Sequence, residues 1–473
     1  MGRADKCRLL DSKGHQLALK KLVSINPATG KISYEQECWS DKNLHSVVDN
    51  VTSAGSIWAD TVLEERIKAI RSAGELFRQR CDELSRLITT EMGKVITESY
   101  AEIGKCIHAC EYYAENAQAF LADEVIKTDA SRSYVAYQPL GTVLGIMPWN
   151  FPFWQVIRFA IPALVTGNTV MLKHASNIPQ SALAAEQLLH DAGIPGNVFR
   201  SLMVHSSQLE PLIIDSRIQG IALTGSETTG RKVAQMAAGH IKKLVLELGG
   251  SDAFIVLEDA DIEQAVKTAV ASRFFTSGQS CINAKRIILV EDVADRFIAR
   301  FYEEVKATQT GDPMASSTRV GPLAREDLRN KLHKQVRGSI SMGAEPLTGC
   351  YIPKQAGFYY PPSILNRVSK GMPAYEEEIF GPVASIIYAT DERDAIRIAN
   401  DSKFGLGGSV WTRDLERGEN VARQIETGSV YVNGLVKSDP RLPFGGIKHS
   451  GYGRELCRHG MLEFTNVKTI WLA

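Results

Sequence analysis

The residue best suited to covalent chemistry in this chain is Cys281, in the stretch FFTSGQSCINAKR at 274–286. A thiolate is a strong nucleophile, and nearby positive charge lowers the pKa that controls its formation. Lys285 and Arg286 follow Cys281 closely and favour the thiolate if they face it. The Thr-Ser-Gly-Gln-Ser lead-in is small and polar and reads as flexible. No histidine is near in sequence. On spacing alone, a buried inert thiol is the better reading of Cys281.

Glu247 is the second candidate. In VLELGGSDAF it stands between apolar residues and just before two glycines. A carboxylate there is partly desolvated, which raises its pKa toward that of a usable general base. The competing reading pairs it with a lysine such as Lys242. A third stretch, GIALTGS, runs into ETTGRK and sets Gly225 and Ser226 at a helix start. Free backbone N–H groups at such a start favour a phosphate. The Gly225-to-Gly230 spacing resembles half a P-loop. Arg231-Lys232 stands where Lys-Ser/Thr is needed, which argues against an NTPase. No G-x-G-x-x-G follows any strand.

These residues need elements to position them. VSINPATGKISYEQECWS reads as strand, turn and strand, and residues 41–120 read as helices. The run ERIKAIRSAGELFRQRCDELSRLITTEMGK has apolar residues at helical spacing and stops at Gly93. RSYVAYQPLGTVLGIMPWN predicts two strands ending in a loop at Trp149-Asn150. Strands and helices then alternate through TVMLK, PQSALAAEQLLHDAG, NVFRSLMV, SQLEPLIIDS, IQGIALTGS and ETTGRKVAQMAAG. A second alternating series runs from DAFIVLEDADIEQAVKTAVASRFF to GSVYVNG. This rhythm predicts an α/β fold with two parallel-sheet domains and right-handed crossovers. The tail FTNVKTIWLA reads as a strand whose exposed edge needs a partner, either RSYVAYQ or another subunit.

Composition bounds the function class. The 473 residues suffice for two or three domains. Lys+Arg and Asp+Glu both count 54, so no net field draws nucleic acid or an anionic membrane. No apolar run is long enough to span a bilayer. A small-molecule partner is the better expectation. The eight cysteines, Cys7, Cys38, Cys81, Cys106, Cys110, Cys281, Cys350 and Cys457, form no C-x-x-C pair and no zinc-like spacing. They read as reduced thiols of a cytoplasmic protein, with no metal. The first 21 residues carry six Lys/Arg and two acids but no hydrophobic run, so they do not read as a secretory signal. They read as an arm outside the folded body.

Six motifs change the weighing of the single residues: MPWNFP, LTGSETTG, LELGGSD, SGQSC, EEIFGPV and PFGGIKHSGYGRE, in this order. From about residue 24 to the C terminus the chain resembles the aldehyde dehydrogenase superfamily. The resemblance implies two Rossmann-like domains and a small β oligomerisation arm. The cofactor-binding domain would comprise 24–122 and 139–250, the catalytic domain 251–440, and the arm 123–138 with 462–473. It implies Cys281 as nucleophile, Glu247 as the base that activates water, and Asn150 as an oxyanion donor. It implies NAD or NADP as cofactor. Trp149, Lys173, Gly225, Ser226, Leu248, Glu378 and Phe380 match cofactor contacts. Ser176 stands where many NAD-preferring members carry glutamate, so a 2′-phosphate is not repelled and use of both cofactors is expected. His174 replaces a proline common among relatives.

Within the superfamily, Arg158 and Ser438 resemble the substrate-carboxylate contacts of bacterial succinate-semialdehyde dehydrogenases. Arg158 lies two helical turns beyond Asn150 and could clamp a carboxylate. The position that carries a second arginine in some members is Phe275, so a broad-specificity aliphatic or aromatic aldehyde dehydrogenase is the alternative. Glu247 argues against a CoA-acylating member. A binding protein without turnover would have lost Cys281, Glu247 or Asn150. A homodimer or homotetramer acting on a small aldehyde is expected.

Overall fold

The computed structural model describes residues 20–473. The expectation of an N-terminal arm falls, up to residue 19, outside the described residues. Strands Lys21–Asn26 and Lys31–Glu37 pair antiparallel around the Pro27–Gly30 turn. Four helices follow: Asp41–Asp60, Leu63–Gln79, Cys81–Met92 and Ile96–Phe120. The single amphipathic run ending at Gly93 is thus two helices. They part at Arg80, whose φ of −97° and ψ of 15° leave the helical region and whose guanidinium turns to Glu83 at 2.8 and 3.0 Å. The break lets the first helix pack on Trp154–Thr166 and the second on Lys21–Asn26. Gly93 ends the second helix in the left-handed region, as glycine readily does.

A six-stranded sheet holds, in spatial order, Gly451–Tyr452, Lys243–Glu247, Ile218–Thr224, Thr142–Met147, Thr169–His174 and Phe199–Ser201. All neighbours are parallel except the first pair. Thr142–Met147 and Thr169–His174 are buried along their whole length. That suits their near-continuous apolar sequences, since helices cover both faces. The strand order reverses beside Thr142–Met147: later strands continue to one side, then Ile218–Thr224 adds on the other. A crevice at the carboxyl ends of the strands is expected at such a reversal.

The second sheet has seven strands, in the order Glu345–Thr348, Ser363–Asn366, Val383–Ala389, Ala284–Val290, Asp252–Val256, Gly407–Trp411 and Ser429–Val432. Only its first strand is antiparallel to its neighbour. Phe254 stacks on Trp411 at 5.4 Å, and Phe297 on Phe301 at 5.6 Å, in the core beneath one face. A third, antiparallel sheet joins Thr465–Leu472, Arg132–Pro139 and Glu124–Val125. The tail strand therefore pairs with RSYVAYQ. Among the described residues no helix is long and apolar enough to cross a membrane.

One buried cluster fixes the start of helix Trp154–Thr166. Phe153, at its N-cap, offers no capping side chain. Glu102, from helix Ile96–Phe120, supplies one instead: its Oε1 accepts from the N–H groups of Phe153 (2.8 Å) and Trp154 (3.1 Å). Its Oε2 pairs with Lys94, and both side chains are almost fully buried. Glu102→Ala would strand the Lys94 ammonium and two backbone donors. We expect a stability loss of about 3–5 kcal/mol in urea unfolding. A loss below about 1 kcal/mol, the scale of an exposed pair, would contradict this account of the cluster.

Candidate active site

The strand ends deliver the sequence-predicted residues to one crevice. Trp149-Asn150 follows strand Thr142–Met147, and Gly225-Ser226 follows Ile218–Thr224. Lys173-His174 ends the next strand, and Glu247 ends Lys243–Glu247. Cys281 arrives from the other sheet, in the turn just before Ala284–Val290.

The lead-in to Cys281 is not flexible. Thr276, Ser277 and Gly278 have φ values of 53°, 53° and 75°, a left-handed run in which two residues are not glycine. Such residues cost about 1–2 kcal/mol each and persist only where surroundings fix them. Here Glu98 accepts from Thr276 N–H at 2.8 Å. The Ser277 hydroxyl donates to Gly321 O at 3.1 Å and accepts from Gly321 N–H at 3.0 Å. Gln279 Oε1 accepts from Ala324 N–H at 3.0 Å. Lys285 closes the turn by donating to the carbonyls of Ser280 (2.9 Å) and Cys281 (2.6 Å), with Glu378 at 3.4 Å. Arg286 does not act on the thiol. Its guanidinium donates to the carbonyls of Ser251, Ile398 and Ala399 at 2.8–2.9 Å.

Burial pushes the Cys281 thiol up to about 12, against the opposing fields of Lys285 and Arg158. The thiol is therefore protonated at neutral pH in the chain alone. Its alkylation by iodoacetamide, read by peptide mapping, should still rise about tenfold per pH unit between pH 8 and 10. A plateau near pH 8 would show that the thiolate forms more readily than this environment allows.

Two donors around Cys281 suit an oxyanion. Asn150 Nδ2 gives one hydrogen to Gln279 O at 2.9 Å, and a primary amide nitrogen carries a second. Among the described residues, the Cys281 N–H has no hydrogen-bond acceptor. Glu247 lies close enough to raise the Cys281 pKa. Both its carboxyl oxygens are buried without a hydrogen-bond partner, as is Asn150 Oδ1. Burial, reinforced by Glu455, raises the Glu247 pKa well above the usual range, against Arg158 and Arg454. Lys242, the partner considered from sequence, instead donates to the carbonyls of Asp215 and Ile218. The second glycine after Leu248 allows a close approach to the Cys281 turn: a Cβ on Gly250 would lie 2.6 Å from Cys281 O.

The ends of these strands offer groups suited to a dinucleotide. Ser226 caps helix Glu227–Gly239 through Thr229 N–H at 3.3 Å, leaving other first-turn N–H groups for a pyrophosphate. Gly230 lies so tightly on Leu248 that an added Cβ would come within 2.5 Å of its side chain. Trp149 meets Phe380 edge-on at 5.8 Å, and Glu378 accepts from Gly250 N–H at 3.1 Å. Ser176 is half-buried just past strand Thr169–His174. Lys173 is buried, donates to His174 O, and is pushed down to about 8 by desolvation.

His174, the departure from proline, ties this edge together. Burial pushes its imidazole down to about 4, so it is neutral. Its Nε2 lies 2.8 Å from Pro152 O and its Nδ1 3.2 Å from Met147 O, with Ala175 N–H 3.1 Å from Nδ1. The loop that carries Asn150 is thereby held to the neighbouring strand.

Cys281 lines a cavity of about 540 Å³ whose walls are largely aromatic and apolar: Phe151, Trp154, Phe275, Phe444, Ile282 and Val436. Arg158 and Ser438 also line it. The charge of Arg158 is already matched. It pairs with Glu455, donates to Thr224 Oγ1 at 3.3 Å and stacks over Phe444 at 4.9 Å. Arg273 is fully buried and donates to the carbonyls of Gly278, Ile379 and Gly381, away from the cavity. Sequence reasoning missed Lys105, which also lines the cavity. Its helical position reads as one more surface lysine, and only the fold turns it inward.

The chain is similar to known proteins along almost its whole length. Residues 15–470 match the model of the aldehyde dehydrogenase family. A probable succinate-semialdehyde dehydrogenase [NADP(+)] of Synechocystis sp. is 47% identical over 452 residues, covering 96% of this chain and 100% of the relative. Succinate-semialdehyde dehydrogenase [NADP(+)] 1 of Mycobacterium bovis is 43% identical over 455 residues, with 96% and 100% covered. The crystal structure of succinic semialdehyde dehydrogenase from Streptococcus pyogenes, in complex with NADP+, superposes with a TM-score of 0.94 at 36% identity. It covers 95% of this chain and 99% of that one.

Proposed function

The chain belongs to the aldehyde dehydrogenase family, and from that premise we propose that it oxidises succinate semialdehyde to succinate with NADP or NAD. The observation that carries the reading is Cys281 in the wall of an apolar cavity, with the Asn150 amide bonded to Gln279 O beside it and the partnerless Glu247 carboxyl close enough to act on the thiol. The Cys281 thiolate adds to the aldehyde carbon. The resulting alkoxide takes hydrogen bonds from the Asn150 amide and the Cys281 N–H, fixed donors each worth about 3–4 kcal/mol in such sites. The dinucleotide, when bound, accepts the hydride that leaves this carbon. Cys281 then carries a thioester. Glu247, as carboxylate, takes a proton from water, which attacks the thioester and releases succinate.

Trp149, Lys173, Ser176, Gly225, Ser226, Leu248, Glu378 and Phe380 would hold the cofactor, with no glutamate at 176 to repel a 2′-phosphate. The substrate assignment leans on the activities of the relatives and on Ser438 in the cavity wall. Phe275 on the same wall favours the second reading, a broad aliphatic or aromatic specificity. The domain division at residues 250 and 440 and a cytoplasmic location belong to the same proposal. So does a homodimer or homotetramer built on the third sheet, whose edge strand exposes Val467, Trp471 and Leu472.

The test is kcat/KM for succinate semialdehyde against butanal, the four-carbon aldehyde without a carboxylate. A preference of about 100-fold for the semialdehyde is expected from one charge-assisted carboxylate contact. Equal values would favour the broad-specificity reading.

A further inference from the structure

Arg273 lies in the last turn of helix Ile262–Phe274, and its side chain is completely buried. Among the described residues it has no carboxylate partner. Glu378, the acid whose field favours its charge, pairs instead with Lys285 at 3.4 Å. The bonds Arg273 makes go to backbone carbonyls, all from Nη2: Gly278 O at 3.2 Å, Ile379 O at 3.2 Å, and Gly381 O. Nε and Nη1 have no partner among the described residues. A buried cation without an anion is costly, and burial holds this guanidinium down to about 9. The bonds it does make join two segments that are far apart along the chain.

One of these segments is the turn that presents Cys281. The other is 378–381, which the proposal above gives to the cofactor. Among the described residues no backbone hydrogen bond joins the two. They meet in van der Waals contact where Gly278 faces Gly381, and a Cβ on Gly278 would run into Gly381 O and Pro382 N. Contact limits how near the segments come, and Arg273 supplies bonds that keep them there. The remaining contacts of 378–381 lead to other parts of the site: Glu378 accepts from Gly250 N–H at 3.1 Å, and Phe380 meets Trp149 at 5.8 Å.

We propose that Arg273 is a positioning residue for hydride transfer: it fixes the cofactor segment 378–381 against the turn that presents Cys281, and so sets how a bound nicotinamide faces the carbon carried by Cys281. The assignment rests on the dehydrogenase reading above and holds for whichever aldehyde is oxidised. A misplacement of about 1 Å between reacting groups costs about 100-fold in rate. Thiol chemistry needs only the turn, which Glu98, Ser277, Gln279 and Lys285 hold by their own bonds.

The experiment compares two rates in the wild type, Arg273→Met and Arg273→Lys. One is the NADPH burst on rapid mixing with succinate semialdehyde or butanal, whichever the wild type oxidises faster. The other is alkylation of Cys281 by iodoacetamide at about pH 9, without cofactor. In Arg273→Met the burst should slow about 100-fold while alkylation keeps its wild-type rate. Arg273→Lys, whose ammonium can donate to the same carbonyls, should recover at least about a tenth of the burst rate. No NADPH from either aldehyde in the wild type overturns the dehydrogenase reading and this assignment with it. An unchanged burst in Arg273→Met, alkylation slowed as much as the burst, or a lysine variant as slow as the methionine one overturns this assignment alone. If Arg273→Met does not fold, Gly278→Ala decides, because its Cβ must push segment 378–381 off the turn. Its burst should slow far more than its alkylation, and equal changes in the two rates overturn the proposal.

Discussion

Cys281→Ala is expected to lower turnover by at least about 10⁴-fold, because no other group can form the covalent intermediate. Affinity for NADP, measured by fluorescence titration, should be essentially unchanged. The reason is structural. The left-handed turn that presents residue 281 is held by Glu98, Ser277, Gln279 and Lys285, none of which bonds to the thiol. The cofactor crevice draws mostly on the ends of the first sheet. Alanine therefore removes the sulfur and leaves the site standing. Turnover within tenfold of wild type would place the chemistry on another residue. Lost cofactor binding would mean that Cys281 holds the turn together.

Glu247→Gln should separate the two halves of the reaction. Glutamine keeps the size of the side chain but cannot accept a proton from water. Hydride transfer needs Cys281 and Asn150, so rapid mixing should still give a burst of one NADPH per active site. Steady-state turnover should then fall about 10³-fold, the range of a lost general base. A steady state reduced without a burst would move Glu247 to a step before the thioester. The raised pKa of Glu247 gives a further expectation of definite sign. Its base form grows as pH rises, so wild-type deacylation should accelerate with pH while the Gln variant stays flat.

Much of this site is legible in the sequence because parallel strands deliver side chains to their carboxyl ends. MPWN and LTGS each end a run that reads as a strand, so the loop at Asn150 and the helix start at Ser226 are visible in the sequence, while the resemblance to the family adds Asn150 and Glu247 to the site. The tail strand was legible too, since FTNVKTIWLA is too exposed at its edge to stand unpaired, and RSYVAYQ is its partner. Other features depend on contacts far apart along the chain. Glu455 neutralises Arg158 only after the C-terminal segment folds back over the first sheet. Lys105 looks like solvent-facing charge until helix Ile96–Phe120 meets Trp154 and Ser438. The lead-in Thr-Ser-Gly-Gln-Ser has the composition of a loop, yet it is buried and rigidly bonded. Local propensity cannot reveal tertiary partners that hold Thr276 and Ser277 left-handed. The break at Arg80 was hidden for the same reason: its apolar spacing continues, and only the differing partners of the two helices require a bend.

The most direct test of the account is to trap the covalent intermediate. Glu247→Gln would be mixed with succinate semialdehyde and NADP, quenched in acid, and mapped by peptide mass spectrometry. The account predicts one succinyl group, as a thioester, on the peptide containing Cys281, formed together with the NADPH burst. NADPH formation with an unmodified Cys281, or acylation at a different cysteine, would contradict it.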